Sequence, residues 1–338
     1  MTDQMKAIRL HRFGGPEVLR YEDAPIPALR PGELRIRVRA VGLNPPDWYL
    51  REGYRMLPPE WQPQVSFPVI PGTDVSGAVE AVAEDVAGFA VGDEVFAMVR
   101  FPEGLAGESR GYAEYVTAPA SDVARKPAGL DHLQAATAPM SLLTAWQFMV
   151  DLGHDQPNPL QPEQHVPVPL AGKTVVVNGA AGGVGHFAVQ IARMQGARVI
   201  AVASGRHAAL LRDLGAEEVI DYTATAPEEM IRDADLVIDA VGGAGSGRFL
   251  RTIRPGGALF PIFPLGFAGA EEAKARGVTV SSTQVRSNGA QLEELGRLLA
   301  EGAIRVVIDS RFPLAEAQRA HERAAEGHVQ GKIVLTVG

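Results

Sequence analysis

The chain has no cysteine among its 338 residues, which excludes disulfides, thiolate nucleophiles and any Cys-ligated zinc or iron–sulfur centre. It lacks any run of about 18 apolar residues, and its opening MTDQMKAIRL has no apolar leader-like core. Neither membrane insertion nor export is expected, and the cytoplasm is the default. A surplus of positive charge is missing as well. Its 32 Lys and Arg stand against 40 Asp and Glu, a net −8 that repels phosphate backbones and anionic lipid. Aromatic residues are sparse at 6%, with no basic aromatic stripe, so neither RNA nor DNA is an expected partner. What is present is the composition of an ordinary folded protein, with 46% hydrophobic and 21% charged residues. At roughly 150 residues per domain, the length predicts two domains.

The early part of the chain carries short runs that alternate between apolar and polar residues, separated by Pro and Gly. Examples are LRIRVRAVG (34–42), VSGAVEAVA (75–83) and YAEYVTAPA (112–120). A period of two reads as β-strand, so a β-rich, partly barrel-like module is expected here. In the first run Arg35, Arg37 and Arg39 alternate with Ile36 and Val38, which puts the arginines on a solvated face. From residue 133, LQAATAPMSLLTAWQFMV has helical spacing and is expected to be one helix joining two modules. Residues 151–170 hold five prolines together with His154 and His165, and read as an irregular insertion with solvent-exposed histidines.

After Gly172 strands and helices alternate. KTVVVNG (173–179) reads as a buried strand and VGHFAVQIARMQGA (184–197) as a helix. RVIAVAS (198–204), EEVIDY (217–222), DLVIDAVGG (235–243), GALFPI (257–262) and VTVSST (278–283) predict further strands with helices between most of them. Parallel strands need crossovers, so the class is α/β with a doubly wound parallel sheet in the order of a Rossmann domain. A helix over 291–302, the run IRVVIDSRFPL, another helix and a final GKIVLTVG return to the texture of the start. The expected domains are therefore 1–132 with 303–338, and 133–302 with the insertion at 151–170.

The strongest local signal is NGAAGGVG (178–185), where a strand stops and a helix begins. Ala180, Gly182 and Gly185 follow an AxGxxG variant of the dinucleotide fingerprint. Small residues let a diphosphate approach the backbone, and the amides of Gly182, Gly183 and Val184 at the helix N-terminus are expected to bind it. The next strand normally ends in an acid when the cofactor is NAD. Here Ser204 and Arg206 occupy that tip and no carboxylate precedes Asp213, which favours NADP(H) and its 2′-phosphate. Tyr222 is placed either against the adenosine or as a half-buried core aromatic. Gly242, after the fourth strand, is expected where a cofactor ribose rests.

These segments, together with NPPDWYLREGY (44–54), FPVIPGTDVSGAVEAVA (67–83), TAW (144–146) and HERAAEGHVQGKIVL (321–335), resemble the medium-chain dehydrogenase/reductase superfamily. Within it the chain is most similar to the zinc-independent quinone oxidoreductase, ζ-crystallin-like branch. The resemblance implies a GroES-like β-rich catalytic domain beside the Rossmann domain. Where zinc-using relatives carry a Cys and then Gly-His-Glu, this chain has Asn44 and Gly72, Thr73, Asp74, and no histidine falls between His11 and His132. A catalytic zinc is not expected. The resemblance further implies that Asn44, Tyr49 and Tyr54 line the nicotinamide end. Asn44 would orient the cofactor, and the tyrosines would hydrogen-bond a developing oxyanion. Thr144 would lie near the nicotinamide. Lys332 would reach the cofactor or else be a solvated strand-start residue. Relatives place a lysine after the second strand, where this chain has His207, making Arg206 the substitute clamp.

The activity so implied is NADPH-dependent hydride transfer to a quinone or α,β-unsaturated carbonyl, which accepts hydride without a Lewis acid. An enoyl reductase acting on acyl or polyketide intermediates would share every feature, and an NADPH-binding structural or redox-sensing protein is the alternative of another class. A homodimer built on the edge strand VTVSST is expected from family habit.

Overall fold

The computed structural model describes residues 4–101, 110–156 and 164–338. The first stretch forms β1 (Gln4–Arg9), β2 (Arg20–Pro25), β3 (Glu33–Gly42), α1 (Pro45–Glu52), β4 (Asp74–Val82), β5 (Glu94–Met98), β6 (Tyr115–Pro119), β7 (Val123–Arg125), α2 (His132–Thr137) and α3 (Pro139–Met149). The middle forms β8 (Thr174–Asn178), α4 (Gly185–Met194), β9 (Arg198–Ala203), α5 (Ala208–Asp213), β10 (Glu218–Asp221), α6 (Pro227–Met230), β11 (Ala234–Asp239), β12 (Ile253–Pro261), α7 (Ala270–Arg276) and β13 (Thr279–Val280). The last stretch is α8 (Gly289–Ala300), β14 (Ile308–Pro313), α9 (Ala317–Ala325) and β15 (Lys332–Thr336).

These elements make two compact units. One comprises Met1–Leu143, Arg286–Gly302 and Ile308–Gly338, the other Thr144–Val285 and Ala303–Val307. The end of the chain does return to the first unit, because β15 pairs antiparallel with β3 through Val334 and Gly42, Leu335 and Val41, and Thr336 and Ala40. Helix α8 also belongs to the first unit, although its place before the last strands assigned it to the second. Gly289 lies so close to the carbonyls of Ser121 and Val123 that a Cβ would come within 2.6 Å of each oxygen.

In the first unit the sheet runs β14-β15-β3-β4-β5-β7, with β6 also paired to β3. Ile36 and Val38 are buried while Arg37 and Arg39 are exposed, as the period of two demands. Arg35 is half-buried and donates from Nε to Glu80 at 2.6 Å. The single helix expected from residue 133 is instead two. Pro139 has no N–H to offer and interrupts the ladder, and the next amide, of Met140, leaves the helical pattern for the carboxylate of Asp74 at 3.0 Å.

The second unit is a six-stranded parallel sheet in the order β10-β9-β8-β11-β12-β13, the doubly wound arrangement of a Rossmann domain. Val175, Val176 and Val177 of β8 are wholly buried, because helices cover both faces of the central strand. The edge strand expected over 278–283 pairs over Thr279–Val280 alone. Strand order reverses between β8 and β11, which opens a crevice at their carboxyl ends.

Of the Pro-rich segment, residues 157–163 lie outside those described, and the flanking residues carry no regular element. Its histidines are not solvent-exposed. His165 is buried against Phe260, at 4.4 Å between ring centroids, and bonds to Ser281 Oγ and the carbonyl of Phe148, each at 2.9 Å. His154 is half-buried. An imidazole carries enough apolar surface to be buried once both nitrogens find partners. Among the described residues no helix is long and apolar enough to cross a membrane.

Candidate active site

Helix α1 begins with Asn44 at its N-cap, followed by two prolines whose fixed φ suits a first turn, and ends at Gly53 with φ 79°. The Asp47 carboxylate turns back to accept the Asn44 amide at 2.8 Å. The Asn44 side chain donates from Nδ2 to Asp74 at 2.8 Å, and its Oδ1 accepts from Lys332 Nζ. Lys332 also donates to the carbonyl of Leu43 at 2.9 Å and to Ser141 Oγ at 3.0 Å. Lys332, only 3% exposed, is therefore not a solvated strand-start residue but is bonded to Asn44.

A second chain of hydrogen bonds enters Asp47 from the opposite side. Arg51 Nη1 lies 2.9 Å from His321 Nδ1, and a guanidinium only donates, so Nδ1 accepts and the ring hydrogen sits on Nε2. That nitrogen is 3.1 Å from the Tyr112 hydroxyl, which in turn donates to Asp47 at 3.2 Å. Burial, reinforced by the Arg51 charge, pushes His321 down to about 3, so it is neutral. Burial pushes Asp47 up to about 7 and, against the pull of Lys332, Asp74 up to about 6. Lys332 is itself lowered by burial, with Asp74 and Asp47 opposing the shift. Every group in this network is buried, and each is answered by another.

Two hydroxyls differ. Tyr54 is buried at φ 53°, in the left-handed region that a bulky residue occupies only under constraint. Its hydroxyl and that of Thr73 have no hydrogen-bond partner among the described residues. Burial raises the Tyr54 phenol, so the group keeps its proton. Thr73 lines a small pocket with Asp47, Leu50, Gly72 and Arg110. Tyr49 is half-buried, edge-on to Trp48 at 5.9 Å, and its phenol is likewise raised by burial.

In the second unit β8 ends at Asn178, and Gly179 (φ 72°) turns the chain into Ala180, which is wholly buried. A Cβ on Gly185 would stand 2.1 Å from the Gly179 carbonyl oxygen and 2.7 Å from Ala180 Cα, so only glycine permits this packing. The Gly182 amide closes the turn onto Gly179 O at 3.0 Å. It is thus spent inside the loop. Of the amides expected to bind an anion, those of Gly183 and Val184 stand with Gly185 at the start of the helix. The His186 amide already returns to Gly182 O at 3.0 Å.

Sequence reasoning missed the buried Asp239 at the end of β11. It accepts from Asn178 Nδ2 at 2.7 Å, from the amides of Val241 and Gly242 at 3.1 and 3.0 Å, and from Ser246 Oγ at 2.6 Å. This carboxylate ties the ends of β8 and β11 together at the crevice and fixes Gly242, where a Cβ would meet the Phe263 oxygen at 2.4 Å. A strand ending in Asp before paired glycines was the available signal. Ser204 and the exposed Arg206 lie just beyond β9, with Arg206 Nε donating to His207 Nε2 at 3.1 Å. Tyr222 is 43% exposed at the end of β10, not a core aromatic. Thr144 is buried on α3, apart from both the loop at 178–185 and the tip of β9 in sequence.

A doubly wound sheet with a glycine cradle at its switch point, joined to a β-rich unit closed by its own last strand, defines the two-domain nicotinamide-dependent dehydrogenases and reductases. Comparison with known proteins agrees. A family described as alcohol dehydrogenase GroES-like domain matches residues 30–128, and one described as zinc-binding dehydrogenase matches residues 214–335. The chain is 32% identical to the mitochondrial NAD(P)H oxidoreductase RTN4IP1 of Mus musculus, over 98% of this chain and 89% of the relative. It is 30% identical to the chloroplast envelope quinone oxidoreductase homolog of Arabidopsis thaliana, over 98% of each. The solved structure of the quinone oxidoreductase from Coxiella burnetii superposes with a TM-score of 0.85 at 34% identity, covering 99% of this chain and 100% of that one. The chain belongs to the medium-chain dehydrogenase/reductase superfamily, in its quinone oxidoreductase branch, and is an NAD(P)H-dependent oxidoreductase by kinship.

The zinc that one family description implies does not fit the residues present. At the positions of the metal ligands in zinc-using relatives stand an amide, a hydroxyl and a carboxylate, and the Lys332 ammonium is bonded to the amide oxygen. A cation already occupies the oxygen that a divalent ion would need. The dinucleotide does fit, because Gly182, Gly183 and Gly185 carry no side chain and stand at the start of a helix.

Proposed function

We propose that this protein is a zinc-independent, NADPH-preferring reductase of quinones or α,β-unsaturated carbonyls. The observation that carries it is the Lys332 ammonium bonded to Asn44 where zinc-using relatives hold a metal. A site organised in this way polarises no alcohol, and it suits an acceptor whose conjugation already delocalises negative charge onto oxygen. The bound nicotinamide would supply a hydride to the electron-poor carbon of that acceptor. The protein's part is to hold and to shield. Gly183, Val184 and Gly185 take the diphosphate on their amides, Gly242 leaves room for a ribose, and Ser204 and Arg206 receive a 2′-phosphate, while Ala180 and Thr144 pack the cofactor's inner side.

In the first unit Tyr54 is the donor for the developing oxyanion, because its buried, protonated hydroxyl has no partner among the described residues. Tyr49 assists, and Asn44, held by Asp74 and Lys332, is a fixed wall rather than a mobile ligand. A homodimer along the uncharged β13 edge is part of this reading, and sedimentation analysis checks it. The test of the function is NADPH oxidation across a panel of 1,4-quinones, 1,2-quinones, enones and enoyl thioesters, repeated with NADH. Turnover of quinones or simple enones supports the proposal. Turnover of thioesters alone would replace it with an enoyl reductase, and cofactor binding without any turnover with a binding protein.

A further inference from the structure

The tip of β9 bears no acid of its own, yet a carboxylate reaches it from the neighbouring strand. Asp221 ends β10, which pairs parallel with β9 so that Asp221 stands opposite Ala203. Its Oδ2 lies over Gly205, where a Cβ would come within 2.3 Å of it, so the carboxylate packs directly on the turn after β9. Oδ1 accepts from the Thr223 amide at 2.9 Å and from the Thr223 hydroxyl at 2.6 Å. With the Gly205 amide as a further donor, these bonds hold the carboxyl below its usual range, the Thr223 hydroxyl contributing most. A carboxylate has about four acceptor positions. Three donors are accounted for among the described residues, and the half-exposed carboxylate keeps room for a further one.

We propose that Asp221 is a coenzyme-specificity residue: from β10 it supplies, over the end of β9, the acceptor for a ribose hydroxyl that β9 itself does not carry. The inference rests on the dinucleotide site proposed above. Acidic recognition of the ribose in Rossmann domains comes from the end of the second strand; here the third strand delivers the same group to the same place. Arg206 and Asp221 then pull in opposite directions. Arg206 favours a 2′-phosphate, and Asp221 favours a 2′-hydroxyl and repels the phosphate. The protein therefore binds both coenzymes, with a preference set by the balance of the two side chains.

Calorimetric titration of the full chain with NADP⁺ and NAD⁺ tests this, since it reads binding without turnover. Asp221→Asn keeps the size and the Thr223 contacts. It should weaken NAD⁺ about tenfold, the worth of one charge-assisted hydrogen bond, while leaving NADP⁺ unchanged or tighter. Asp221→Ser, a smaller change at a half-exposed position, should shift the ratio the same way if the Asn variant folds poorly. Arg206→Gln should weaken NADP⁺ and spare NAD⁺. Equal weakening of both coenzymes in the Asp221 variants would reduce the carboxylate to a turn anchor and overturn the inference. Wild-type protein that binds neither coenzyme would overturn the dinucleotide site itself.

Discussion

The two units treat their buried polar groups in opposite ways. Around Asn44 in the first unit, side chains meet side chains until nearly every donor and acceptor is used: Arg51, His321, Tyr112, Asp47, Lys332 and Asp74 form one closed network. At the end of β8 in the second unit, glycines dominate the turn at 179–185, and a helix begins there with no side-chain cap on its first amides. Closure makes a rigid wall and openness makes a ligand site. What distinguishes the two is not polarity but how much of it remains unspent. Beside Asn44 the hydroxyls of Tyr54 and Thr73 have no partner among the described residues, and on the function proposed here they are where a substrate oxygen would bind.

The contrast can be broken most severely by removing the central cation. Lys332→Met removes the positive charge that offsets buried Asp74 and takes the donor from the Asn44 oxygen, and is expected to cost about 3–5 kcal/mol in denaturant unfolding. Adding Asp74→Asn should recover a large part of that loss. Full stability in the single variant would mean that the network is not held by charge. Next in size, Gly185→Ala places a methyl within 2.1 Å of backbone and should weaken NADP⁺ about 100-fold, roughly 2.7 kcal/mol. Calorimetry showing less than a threefold change would remove the cradle from the site.

A smaller effect sharpens the electrostatics of the closed network. Asp47 is raised to about 7, so its neutral form is favoured in the folded protein. The stability this brings is complete below the unfolded pKa of about 4 and is lost as pH rises through the folded value. Asp47→Asn removes the dependence, and the melting temperature of the variant relative to the parent should climb from about pH 4 to about pH 7 and level off above that. His321, lowered to about 3, works in the other direction, losing stability as pH falls below its ordinary range near 6.5. A flat difference between Asp47→Asn and the parent would contradict the assigned shift. The smallest change is expected at Arg37, exposed on β3 and outside both regions, where Ala should alter stability by no more than ~0.5 kcal/mol.

How much was legible beforehand follows the range of the interactions. The cradle was plain because strand, glycine turn and helix are contiguous, and Val175 to Val177 announce a strand buried on both faces. The alternation of arginines on β3 was equally local. The bond between Lys332 and Asn44 joins residues 288 positions apart, and no periodicity points to it. Asp221 was passed over since an acid was sought along β9 itself, whereas parallel pairing brings β10 alongside. His165 was misplaced because a proline-rich neighbourhood suggests solvent, while the imidazole finds Ser281 and Phe148 only once the sheet has formed. Local chemistry was readable; pairings made by topology were not.

The central claim is that hydride reaches a conjugated acceptor with Lys332 where zinc-using relatives keep a metal. It is tested most directly by NADPH oxidation with a 1,4-quinone after exhaustive chelation, alongside metal analysis of the same sample. The account predicts an undiminished rate with no stoichiometric zinc. Activity that disappears on chelation and returns with added zinc would contradict it.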